Sequence, residues 1–220
     1  MSKFKVKGLF FSNFLLRASF TQKIAYIGVL SALSVVVNAY ISFPVGDTQF
    51  SVTIFFSMLM GILLGSVPGF AVCVLGDLIG CVIQGFAPLP FIGIATGMTA
   101  FIAGIIVNGI ITKTNGGLLV KLVISCVLVF LICTIGINTT GWYFYGSSHE
   151  TMGYFSYVIL RIFVKLQFLN CLANYIVICV FVPLVLRNKF FQNNAVGDNN
   201  AAEISDESED NNKDGEDDNR

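Results

Sequence analysis

Six apolar stretches follow one another along the chain, at residues 24–43, 50–64, 70–84, 91–112, 118–137 and 157–186. None alternates with the period of two that marks a strand. Most reach the roughly 20 residues an α-helix needs to cross a hydrocarbon core. The pattern predicts an all-α integral membrane protein with six transmembrane helices. Between the stretches, VGDTQ (residues 45–49) reads as a polar loop, and Ser66-Val67-Pro68-Gly69 and KTNGG read as turns. GFAPLP (residues 85–90) is an apolar loop, NTTGWYFYG (residues 138–146) has no helical period, and residues 147–155 form a polar loop. The last stretch, residues 157–186, is the longest, and Arg161 and Lys165 interrupt it. Four apart on a helix, they share one face. A cation at bilayer depth is costly unless it meets an anion or water. Arg161 is expected near one interface, with Lys165 roughly 6 Å deeper at about 1.5 Å of rise per residue.

Composition agrees: the chain is 55 % hydrophobic and 12 % charged, where a soluble domain carries about 25 % charged residues. The net charge of zero hides a segregation. Residues 192–220 hold ten acidic side chains against Lys213 and Arg220, and the other eleven basic and three acidic side chains precede them. Three regions follow: a basic, amphipathic segment at 1–23 lying on the membrane surface, a six-helix domain at 24–190, and an acidic, disordered cytoplasmic tail at 191–220. An even span count puts both termini on one side. The basic N-terminus, Lys113, Lys121, Arg187 and Lys189 all fall on that side, and the opposite loops carry only Asp47, His149 and Glu150. By the positive-inside rule, both termini are cytoplasmic.

The six cysteines lie inside apolar runs at helical spacings and read as small packing residues. There is no phosphate-binding GxxxxGK[ST], no HExxH, no GxSxG and no zinc-spaced Cys/His cluster. Asp77 is the only acid within a span, without the second carboxylate, histidine or activated nucleophile that catalysis requires. The chain is therefore not expected to be an enzyme, and no cofactor, metal or nucleic-acid partner is expected. Lys121, near the cytoplasmic end of its span, can snorkel, which leaves Asp77, Arg161 and Lys165 as the buried charges within spans. Pairing Asp77 with one cation still leaves the other for an anionic ligand. Phe86, Pro88 and Pro90 from one outer loop, and Asn138, Thr139, Trp142, Tyr143 and Tyr145 from another, supply flat aromatics and a few polar groups suited to a heteroaromatic small molecule. The same aromatics also suit an interfacial belt. Small residues recur four apart, as in Gly28/Ala32, Gly61/Gly65, Gly76/Gly80 and Gly93/Gly97, and let helices approach closely.

The run FSVTIFFSMLMGILLGSVPGFAVCVLGDLIGCV (residues 50–82), PLPFIGIATGMTAFIAGII (residues 88–106), the NT, W and YG of residues 138–146 and the RIFVK of residues 161–165 resemble an energy-coupling factor (ECF) transporter S component. Within that group the chain looks most similar to the folate family. The resemblance implies a six-helix subunit of the bacterial cell membrane that captures an extracellular vitamin. It also implies partners: a transmembrane coupling subunit and two cytoplasmic ATPases that hydrolyse the ATP. The family's AxxxA motif, which docks the coupling subunit, corresponds here to Gly28 and Ala32. Folate is the favoured ligand, its pterin on the aromatics and its carboxylates on Arg161 and Lys165, with Asp77 also at the site. Pantothenate, thiamine and a ligand-free scaffold are the alternatives.

Overall fold

The computed structural model describes residues 10–12, 15, 19–45, 48–85, 87–109, 115–146 and 150–186, and nearly all of them are helical. Helix α1 (Phe20–Tyr40) opens on a capping box in which Ser19 Oγ accepts from the Gln22 N–H and Gln22 Oε1 accepts from the Ser19 N–H. Two donors that a first helical turn leaves open are satisfied in this way. A hairpin follows, β1 (Ser42–Val45) against β2 (Thr48–Ser51), antiparallel with Ser42 opposite Ser51 and Val45 opposite Thr48. Then come α2 (Thr53–Leu64), α3 (Ser66–Ile83) and α4 (Pro90–Gly109). Helix α5 (Asn115–Leu128) runs on through a π-helical stretch, Val129–Thr139, into α6 (Thr140–Tyr145). Helix α7 (Tyr154–Ile159) continues as a π-helical turn, Leu160–Val164, before α8 (Gln167–Leu186).

Among the described residues, five helical segments are long and apolar enough to cross a membrane: Phe20–Tyr40, Ser66–Ile83, Pro90–Asn108, Gly117–Tyr145 and Gln167–Val185. Thr53–Leu64 and Tyr154–Val164 are apolar but shorter. The chain is thus a helical membrane bundle, as the apolar pattern predicts. Several connections differ from that pattern. VGDTQ is not simply a loop, because its flanks pair as the hairpin and the second helix begins at Thr53. Ser66–Gly69 is not a turn but the first turn of α3. The reversal falls on Gly65, whose φ of 101° is left-handed and open to glycine at no steric cost.

Residues 138–145 are helical too. Thr139 turns its hydroxyl back onto the Thr134 carbonyl at 2.7 Å, so its polarity is absorbed within the helix. The largest difference is at residues 157–186, which do not form one helix. The chain breaks at Lys165 and Leu166, where Leu166 takes a φ of 50°. Helix α8 alone, with 20 residues, is about 30 Å long, as long as a hydrocarbon core is thick.

The tightest packing joins α2, α3 and α4. A Cβ on Gly61 would lie 1.9 Å from the Ala100 carbonyl oxygen, so only glycine permits that backbone approach. Met60, Cys73 and Ala100 are buried at the same seam. The described part of the N-terminal segment lies over the α2–α3 reversal. Ser12 N–H donates to the Leu64 carbonyl at 3.2 Å, and Leu15 is buried against Leu64 and Val72. Most of segment 1–23, and all of the tail at 191–220, lie outside the described residues.

Helix α8 is fastened by asparagines. Asn174 Oδ1 accepts the Phe55 N–H at 3.0 Å, and its Nδ2 donates to the Ser51 carbonyl at 2.9 Å. Asn170 Oδ1 accepts the Ser51 N–H at 3.4 Å. Helix α2 has no side-chain cap of its own. In its first turn Ser51 Oγ accepts the Thr53 N–H at 3.0 Å, and the Phe55 N–H takes its acceptor from another helix.

Candidate ligand site

Arg161 is half-buried in the π-helical turn that ends α7, one helical turn after Tyr157. Its Nη1 donates to the Tyr157 hydroxyl at 3.3 Å and its Nη2 to Asn138 Oδ1 at 3.5 Å. The guanidinium carbon stands 5.6 Å from the centre of the Trp142 ring, within reach of a cation–π attraction. Asn138 and Trp142 are four residues apart on one continuous helix, which is why a single side chain meets both. Arg161 Nε is buried without a hydrogen-bond partner.

Around this cation lies an aromatic cluster. Phe91, in the first turn of α4, packs edge-on against Trp142 at 5.8 Å, and Tyr145 stands 5.8 Å from Trp142 and 6.3 Å from Phe91. Gly141 makes the contact possible, because a Cβ there would fall 2.3 Å from the Phe91 ring. A second group joins α6 to α7: Tyr143 contacts Tyr154 and Tyr157, each at 5.4 Å, and its hydroxyl donates to the Met152 carbonyl at 3.0 Å. The arrangement offers flat rings, a held cation, an amide and hydroxyls. It can bind and orient a flat molecule, and it contains no nucleophile with a base.

The structure brings together Arg161, Asn138, Trp142 and Tyr143. The other predicted site residues stand differently. Lys165 is exposed at the helix break, whereas Arg161 is half-buried. The π-helical turn, with its Lys165 N–H to Leu160 carbonyl bond at 3.0 Å, advances the chain by five residues per bond rather than four. Asp77 is 6 % exposed, with Oδ2 facing Gly93 and lacking a hydrogen-bond partner. Arg161 directs Nη1 to Tyr157 and Nη2 to Asn138 instead. Thr139 is buried and bonded within its own helix. Pro88 is exposed in the segment before α4, and Phe86 lies outside the described residues.

A family model for the S component of ECF-type riboflavin transporters matches residues 19–189. The chain belongs to that family. No curated protein matches it. As an S component it is a substrate-binding transporter subunit and not an enzyme, and a multi-pass protein of the plasma membrane. ECF S components work with transmembrane and ATPase modules and bind small vitamins. The expectation of an S component holds. Its refinement to the folate type receives no support, since the matching model is of the riboflavin type.

Sequence reasoning did not single out Phe91 and Tyr157 as site residues. Tyr157 was legible, one helical turn before Arg161. Phe91 was not, because its place depends on Gly141 across the bundle.

The other surface predicted from sequence lies on α1. Only Ser34, Val37 and Ala39 of that helix are buried. Gly28 and Ala32 are both exposed, and a Cβ on Gly28 would meet nothing within 4 Å.

Proposed function

We propose that this S component captures riboflavin at the Arg161–Trp142 cluster and passes it inward with a transmembrane coupling subunit and ATPases. The observation that carries the ligand is the family match, and the cluster's chemistry supports it. Riboflavin is a flat, neutral tricycle bearing a polyol, so it asks for aromatic faces and hydrogen-bond partners rather than paired cations. Folate would bring two carboxylates, and the exposure of Lys165, against the half-buried Arg161, argues against a two-cation clamp. In this reading Trp142, Phe91 and Tyr145 hold the ring system, Asn138 and Arg161 meet its carbonyls, and Asp77 Oδ2 accepts from a ligand hydroxyl or N–H. Thr139, Tyr143 and Pro88 shape the site without direct bonding. Both termini are taken as cytoplasmic, on the charge asymmetry of the loops.

Titration of the full chain in detergent with riboflavin and with folate tests the assignment, read by quenching of flavin fluorescence and by calorimetry. Riboflavin should bind and folate should not. Trp142→Ala should weaken riboflavin by roughly 5- to 150-fold, the equivalent of about 1–3 kcal/mol for a lost stacking partner. Asp77→Asn should also weaken it, while sparing the protein's thermal stability. Tight folate binding with no response to riboflavin would overturn the ligand. Unchanged riboflavin affinity in Trp142→Ala would overturn the site.

A further inference from the structure

Among the described residues two stretches are π-helical, Val129–Thr139 and Leu160–Val164, and the ligand cluster joins them. Asn138 lies in the first and Arg161 in the second, and they meet at 3.5 Å. A π-helix bonds each N–H to the carbonyl five residues back, so one of its turns takes up a residue more than an α turn. Returning the first stretch to α geometry by a single residue would carry Asn138 and Trp142 round the helix by about 100°, away from Arg161. Whatever holds the register there holds the cluster together.

Threonine hydroxyls report that register. In α4, Thr96 donates to the Gly93 carbonyl at 2.9 Å and Thr99 to the Ala95 carbonyl at 2.8 Å. These acceptors are three and four residues back, as is usual in an α-helix. Thr139, fully buried, donates to the Thr134 carbonyl at 2.7 Å, five residues back. Its hydroxyl bond therefore spans the π separation and not the α one. The acceptor end is anchored: Val129 and Cys133 pack with Ile102 and Ile106 of α4, and the Thr134 hydroxyl stands 3.7 Å from Cys171 Sγ on α8. The donor end leads into the site, where the Thr140 hydroxyl meets that of Tyr154 at 2.9 Å and Trp142 meets Arg161. We infer that Thr139 is a positioning residue, whose hydroxyl fastens the π register that turns Asn138 and Trp142 toward Arg161. Its part in ligand binding rests on the riboflavin reading above; its part in the register does not.

Trp142 is the only tryptophan of the chain, so its emission reports on the cluster without any ligand. The test compares, in the full chain in detergent, Thr139→Val, which loses the hydroxyl at nearly unchanged shape, with Thr139→Ser, which keeps it. Thr139→Val should shift Trp142 emission and its quenching by acrylamide. It should also weaken riboflavin by about 2- to 12-fold, the worth of one hydrogen bond. Thr139→Ser should match wild type in both. Thr99→Val, which removes a buried hydroxyl bonded in α register, should lower thermal stability and leave emission and affinity unchanged. Thr139→Ala replaces Thr139→Val should that variant fail to fold. Wild-type emission from the folded variant lacking the hydroxyl would overturn the proposal. So would a Thr139→Ser variant as disturbed as Thr139→Val, since shape and not the hydroxyl would then set the register. Unchanged riboflavin affinity in Thr139→Val, where Trp142→Ala weakens it, would remove Thr139 from the site. A shifted emission with affinity unchanged in both variants would support the register and overturn the ligand site.

Discussion

Helices α2 and α8 are held in the molecule by opposite means. Helix α2 meets α4 backbone to backbone, with no room at Gly61 for a single added carbon. Helix α8 meets the same region through asparagine side chains that reach to Ser51 and Phe55. The difference follows from the solvent. In lipid, apolar contact between helices gains little over apolar contact with acyl chains, so close backbone fit and hydrogen bonds carry association. The α2–α4 seam uses fit, and α8 uses hydrogen bonds.

Gly61→Leu attacks the fit and should have the largest effect. Overpacking of a close seam costs about 1–3 kcal/mol and sometimes more, and here the clash is with backbone, which has no rotamer to yield. Little monodisperse protein should survive size-exclusion chromatography in detergent, and survivors should melt well below wild type. A wild-type melting curve would mean that the seam is not a structural requirement.

Asn174→Leu attacks the polar staple. It strips the Phe55 N–H of its acceptor and the Ser51 carbonyl of a donor, and each buried polar group left unmet costs about 1–3 kcal/mol. The melting temperature should fall by less than in Gly61→Leu, and hydrogen exchange at Phe55 should rise. Unchanged exchange there would show that water, not α8, serves the first turn of α2.

Gly28→Leu sharpens the contrast, because this glycine has no neighbour. Stability and riboflavin binding should match wild type, while assembly with the coupling subunit and uptake should be lost. Normal assembly by the folded variant would remove α1 from the docking surface. Deletion of residues 192–220, which carry ten acidic side chains and almost no apolar surface, should change least of all. Uptake at equal expression measures it, and a large loss would give the tail a partner.

The spans were legible because hydrocarbon demands long apolar runs. The seams were partly legible, because Gly61, Gly76 and Gly97 sit at the spacings that close approach needs, and each faces a neighbour. Gly28 has the same spacing and no neighbour, so spacing alone does not separate an internal seam from an open face. The break at Leu166 was hidden, since an apolar run reads alike through an α-helix, a π-turn and a left-handed residue. In the site, Trp142, Asn138 and Arg161 were legible by residue type and the i, i+4 relation. Phe91 and the isolation of Asp77 were set by contacts between distant helices, which no local pattern carries.

The asparagine staple also imposes an order on biosynthesis. Phe55 and the Asn174 that accepts its N–H are 119 residues apart in the chain. At about 5–20 residues per second of translation, roughly 6–24 s separate their emergence from the ribosome. Throughout that interval the start of α2 is in place while its acceptor has yet to be made. In a chain stalled after α6, the Phe55 N–H lacks the acceptor that Asn174 supplies in the finished molecule.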